Sequence, residues 1–413
     1  MADQGVPCYL ETLPPELIYG ILDHVDSIRD LHHFIITGRS IYQRFEGRKR
    51  PTILRVLRNE LGVVLADARF LYLFPYSDPG RSPGQQRVYW DHISNMATVY
   101  RRTLKNGGGT SIPGMEELTQ LCHTLYKINF LTRAYFAAQQ RFFGGESLGA
   151  SSLSRAEKLR IMRAFYRRQI FSNAWAPTRR GPGFNYEDVE VIGNIMRYHE
   201  GLFSTLEPWE MQQIDHVDRF VIEQCKALCL ADEWTTEKIH EAQFKELFSH
   251  MDCLVHNMRE RPGITPELVS RLGSLEISLI DVFNDLTENQ PLPFHRYGWQ
   301  FFACDPFPAP VQDRRGQEGH DSEGAIDFVG DLVDLPPFGW IDATDGQPVD
   351  WFGNAFVHTS HYTRHEENEL FYLRYRRIEL WRDAGFALWD RSRVEALQKL
   401  EQLEFSQTGW IVY

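Results

Sequence analysis

Residues 13–45 read LPPELIYGILDHVDSIRDLHHFIITGRSIYQRF, and this stretch sets the fold class. Leu17, Ile18, Ile21, Leu22 and Val25 recur at helical spacing, so residues 15–25 predict an amphipathic helix. Pro15 suits its first turn, where an N–H has no intrahelical partner to lose. Ser27 followed by Asp30 marks a second start, with Ile28, Leu31, Phe34 and Ile35 as the apolar face. Thr37-Gly38 ends that helix, and a third begins near Ser40 with Ile41, Tyr42 and Phe45 inward. Pro51 opens a fourth, carrying Ile53, Leu54, Leu57 and Leu61.

The same 3.6-residue period dominates the rest of the chain, and strand alternation is sparse. Turn-rich loops lie at 77–86, 106–114 and 144–152. Between the last two, 116–143 predicts a long helix. Ser154-Arg155-Ala156-Glu157 is a capping box, in which the serine side chain takes one free N–H and the glutamate reaches back to another. It opens a helix expected to run to about Phe171, with 177–183 (PTRRGPG) as an interruption. Further helices are expected over 186–199, 208–230, 236–259, 265–286 and 364–382, and Asp390 is expected to cap a last one. From 306 to 350 ten acids stand against two bases, with many Pro and Gly. This window predicts an irregular, partly packed insertion anchored by Phe328, Phe338 and Trp340.

The expected fold is therefore all-α. A short three-helix module over 8–50 precedes a large irregular helical domain over 51–413, which carries the acidic Pro/Gly-rich insertion near 306–350. No leucine-rich, WD or kelch period recurs along the 413 residues.

Composition excludes several functions. Acids outnumber Lys and Arg by 56 to 44, giving a net charge of −12. A broad basic surface for nucleic acid is not expected, because phosphate neutralisation needs clustered cations. Arg48-Lys49-Arg50, Arg101-Arg102, Arg167-Arg168 and Arg179-Arg180 are short and read as solvated helix faces. No run approaches the roughly 20 apolar residues of a membrane span. The start, MADQGVPCYLETLPPEL, has no signal-peptide pattern, and Ala2 stands where N-myristoylation needs glycine. Cys8, Cys122, Cys225, Cys229, Cys253 and Cys304 form no CxxC pair, and read as buried thiols of a cytoplasmic or nuclear protein.

The opening Leu13-Pro14-Pro15-Glu16-Leu17, the Ile21-Leu22 pair, Leu31 and the Ser40-Ile41-Tyr42 ending resemble an F-box. That module docks substrate receptors on the Skp-type adaptor of a cullin-RING ubiquitin ligase. The resemblance covers about 40 of the 413 residues. It implies that Leu13, Pro14, Pro15, Leu17, Ile21, Leu22 and Leu31 meet the adaptor. It further implies a non-catalytic subunit with no cofactor, which tethers a protein substrate to the cullin complex. A piece this small buries little core alone, so its aliphatic stripe needs a partner surface or the rest of the chain. Leu153-Ser154, Glu157, Arg163 to Arg167, Pro208-Trp209-Glu210 and Gly385 to Asp390 resemble segments of large F-box-like proteins of filamentous fungi.

Two other constellations compete. His358, His361, His365 and Glu366 form a weak metal candidate, since His361 and His365 stand four apart. The order is not HExxH, and a polar loop leading into a helix is the preferred reading. A helical enzyme or ligand binder would use this site. A structural protein would instead bury the Leu17 and Ile21 stripe as internal packing. No GxSxG, GxxxxGK[ST] or GxGxxG motif occurs. Within the acidic window, Asp331 and Asp334 near Trp340, Trp351 and Phe352 suggest a site for a basic peptide.

Overall fold

The structure, a computed structural model, describes residues 10, 13–74, 95–104, 112–139, 152–180, 206–231, 327–344, 384–395 and 398. These residues form helices and connecting turns, with no strand among them, so the fold is all-α. They fall into two compact units. One comprises residues 1–73 and 103–126, the other 74–102 and 127–413.

The first unit begins with α1 (Pro15–Asp23), α2 (Ile28–Ile35), α3 (Arg39–Gly47) and α4 (Lys49–Leu61). A 3₁₀ turn over Gly62–Val64 leads into α5 (Leu65–Leu73). The first three helices lie within a residue or two of where periodicity put them. Ile18, Leu22, Leu31, Ile41, Phe45 and Val56 form one buried cluster, drawn from all four of α1 to α4. The fourth helix is thus part of the first core, and residue 50 lies within the helical array rather than at its edge. Polar bonds repeat this join. The Glu60 carboxylate accepts the Ile28 N–H at 2.9 Å, and the Asn59 amide donates to the Val25 carbonyl at 3.1 Å. The α1–α2 turn is therefore held from the last turn of α4. Ser27 caps α2 as its sequence implies, accepting the Asp30 N–H at 3.0 Å.

The helix α6 (Met115–Gln139) contributes Met115–Tyr126 to the first unit and its remainder to the second. In the second unit, α7 (Arg155–Arg180) packs along α8 (Pro208–Ala231). The helix α7 continues past the expected stop at Phe171 and through Pro177, which occupies its final turn. A proline there removes a single hydrogen bond where the ladder is already ending. The short α9 (Phe338–Thr344) and a 3₁₀ turn over Phe386–Leu388 lie against each other, and that turn also packs on α7 and α8. Helical residues 391–395 follow the turn.

The described part of the acidic window is packed by its aromatic residues. Trp340 is buried and meets Trp209 edge-on at 5.6 Å, while Phe328 and Phe338 stack edge-on at 5.2 Å. Gly339 is required here, because any side chain would strike the Phe386 carbonyl.

Candidate functional site: the helix 1 surface and the charged interior

The helix α1 divides its apolar residues between two environments. Ile18 and Leu22 point into the first core, where Leu22 is 1% exposed. Leu17 remains 55% exposed and Ile21 37%. Positions 17 and 21 are one turn apart and share the outward face. Pro14 ahead of them is exposed, and Leu13 and Pro15 are half-buried. The N-terminal residues of α1 thus form a stiff apolar lip, since two prolines in series leave little backbone freedom to lose. Leu31, on α2, is 3% exposed and lines the same core as Leu22. Of the seven residues expected to meet a partner, Leu22 and Leu31 are therefore inside. The surface that remains is Leu13, Pro14, Pro15, Leu17 and Ile21.

Other surface residues of the first unit are polar and aromatic. Tyr42 is exposed and donates from its hydroxyl to Glu46 at 2.9 Å, and Lys49 pairs with the same carboxylate at 3.0 Å. The Lys49 and Tyr42 hydrogen bonds hold the Glu46 carboxyl below its ordinary range. The guanidinium of Arg48 lies over the Tyr19 ring at 4.8 Å. Ile36, at the end of α2, is also exposed.

The second unit has a charged interior, which periodicity did not reveal. Arg160, Arg163 and Arg167 follow one face of α7 at spacings of three and four, and all three are buried. Arg160 donates to Asp390 at 2.6 Å and to the Leu388 carbonyl at 3.2 Å. Arg163 pairs with Asp334 at 2.6 Å and Glu210 at 3.3 Å, and Arg167 pairs with Glu210 at 2.8 Å. Arg168 turns to Asp218 at 2.7 Å. Burial pushes the Glu210 carboxyl up, but Arg167 and Arg163 together outweigh it and hold the group below its ordinary range. Arg167-Arg168 is consequently no solvated face. Desolvated guanidinium groups need such matched carboxylates, since an unpaired buried charge is costly.

The capping box at Ser154 grows into a larger junction. Ser154 Oγ accepts the Glu157 N–H, and Glu157 accepts the Ser154 N–H, both near 3 Å. The same Glu157 carboxylate receives Arg393 at 2.8 Å and the Asp390 N–H at 3.2 Å. Asp390 does not cap its own helix with its side chain, which instead bonds Ser154 and Arg160. That cap is supplied by Asp331, which accepts the Arg391 N–H through one oxygen and the Phe338 N–H through the other, each at 3.1 Å. Asp331 and Asp334 are thus structural acids tied to this chain, and Trp340 is buried. Asp334 nevertheless keeps an exposed side chain, 56% accessible, beside its bond to Arg163. Trp351 and Phe352 lie outside the described residues.

His358, His361, His365 and Glu366 also lie outside the described residues. Among the described residues, no group of three or more His, Cys, Asp or Glu is placed to hold a metal ion. No helix among them is long and apolar enough to cross a membrane. Cys122 is a half-buried free thiol, and burial, aided by the Glu60 charge, pushes it up to about 11. Such a thiol is a poor nucleophile at neutral pH. Compared with protein-family models, curated proteins and solved structures, the chain matches none.

Proposed function

We propose that this chain is an F-box substrate receptor, whose first helices dock on the Skp-type adaptor of a cullin-RING ubiquitin ligase. The observation that carries the reading is the pair Leu17 and Ile21, exposed on one face of α1 directly behind the Leu13-Pro14-Pro15 lip. A rigid apolar lip orders few torsions on docking, which suits an anchor. The second unit would hold a protein substrate, and the chain would act as a tether that raises the substrate's effective concentration near a ubiquitin-loaded enzyme. No bond-making residue is assigned in this role. The high aromatic content, 13%, supplies the residue types that dominate protein interfaces.

Co-purification of the intact chain with the adaptor tests the reading. The wild type is expected to hold a complex at micromolar concentration, and Leu17→Asp with Ile21→Asp to lose it while keeping its helical circular dichroism. Leu22 is unsuitable for this test, because an aspartate there would disrupt the core itself. Absence of a wild-type complex, or a complex indifferent to the double substitution, overturns the proposal.

A further inference from the structure

Residues 39–58, which span α3 and most of α4, hold seven Lys and Arg against one acid, Glu46. That is +6 in a chain of −12, so the remaining residues carry −18 and this stretch opposes the sign of its own molecule. Arg48, Arg55 and Arg58 are exposed and recur at spacings of seven and three, on one face of α4. From first to last they run about 15 Å along the helix. Two of them lie against α1: Arg48 covers the Tyr19 ring, and Arg55 is 3.4 Å from Asp23. Among the described residues Arg58 meets no carboxylate. Helix stability accounts for little of this arrangement. Arg48, Lys49 and Arg50 crowd the N-terminal turn, the positive end of the helix dipole, and only Arg58, in the last turn, suits that dipole. Arg55 and Arg58 are also like charges one turn apart. The one acid of α4, Glu60, is bonded to the Ile28 N–H.

We propose that the stripe of Arg48, Arg55 and Arg58 is a second docking surface, which takes an acidic segment of a partner protein. Charge complementarity selects this occupant. A guanidinium is a planar fork that fits a carboxylate through two hydrogen bonds. An extended peptide advances about 3.3 Å per residue, so about five residues carrying three Asp or Glu match the length of the stripe. Nucleic acid fits less well. The Tyr19 ring on this edge is covered by Arg48 and offers a base no stacking face. Beyond the stripe, the negative charge of the remaining chain repels a long phosphate backbone. The stripe is also separate from the Leu17 and Ile21 surface. Tyr19 and Asp23, which meet the arginines, stand two residues after Leu17 and Ile21, about 200° round α1. Occupation of one surface therefore leaves the other open, and neither needs the other.

Fluorescence anisotropy on the full chain, with a labelled octaglutamate peptide at about 50 mM salt, tests this. The wild type is expected to bind the peptide at micromolar concentration. Arg55→Gln with Arg58→Gln should weaken binding about tenfold. Arg58→Gln alone, which breaks no ion pair among the described residues, should weaken it about threefold and keeps the test decisive if the double variant fails to fold. Arg29→Gln with Arg133→Gln removes two exposed arginines that lie off the stripe, and should change binding less than about twofold. No binding by the wild type, no loss in the stripe variants, or an equal loss in the off-stripe pair overturns the proposal. Tighter binding of a labelled octathymidylate strand, whose charge is similar, would assign the stripe to nucleic acid and overturn it as well.

Discussion

Neighbouring residues of α1 differ sharply in what their removal should do. Leu22 fills the first core, so Leu22→Ala should cost about 2–5 kcal/mol through lost burial and the cavity left behind. Leu17 is mostly in water, and Leu17→Ala should stay within about 0.5 kcal/mol. Urea unfolding of the two variants checks the contrast. Glu210 gives a pH-dependent counterpart. Its folded carboxyl is held below the ordinary range by Arg167 and Arg163, so it contributes stability above about pH 4.3 that is lost as pH falls through the folded value. Glu210→Gln should be destabilised at pH 7, because two buried guanidinium groups lose a shared partner. Its stability should then fall less steeply than the wild type's below pH 4, as acid titrations of the unfolding midpoint would show.

At the scale of elements, the turn at Gly385 joins two constraints. Its φ of 73° is in the left-handed region, and a side chain there would strike the Tyr135 hydroxyl. Gly385→Ala should destabilise by more than about 1 kcal/mol. Tyr135→Phe in the same chain should restore part of the loss, since it removes the obstructing oxygen and leaves the backbone strain. A double-mutant cycle by thermal unfolding measures both parts. At the start of α2, Ser27→Ala should cost about 1 kcal/mol, the usual worth of an N-cap.

For the whole molecule, the first core sets the smallest fragment that can fold. Val56, Asn59 and Glu60 all belong to the array of α1 to α4. A fragment ending at residue 50 lacks them, and should show neither helical circular dichroism of native strength nor a cooperative urea transition. The first unit also draws on residues 103–126, where Glu117 pairs with the largely buried Arg69 at 2.7 Å and the Pro113 carbonyl accepts from Arg50 at 2.9 Å. A fragment through Leu73 should therefore be less stable than the intact chain, and native-state hydrogen exchange in α4 and α5 would register the difference.

Local chemistry was sufficient for much of this. The helices α1, α2 and α3 follow from apolar period, Pro15 and the Ser27 cap, and α8 follows from its own stripe, because each signal acts within a turn or two of backbone. The capping box at Ser154 is of the same kind. The sequence alone did not distinguish Leu17 from Leu22, since both are leucines on one broad stripe and only packing against α2, α3 and α4 decides which is covered. Arg167-Arg168 and Asp331 looked like surface charge, because such a residue's surroundings depend on partners far along the chain, 50 positions away for Arg168 and 60 for Asp331. Asp390 stands at a helix start, yet its carboxylate serves Ser154 and Arg160, and the helix is capped by Asp331. Periodicity measures which face a residue occupies; which charge meets which, and what covers that face, are set only when distant segments come together.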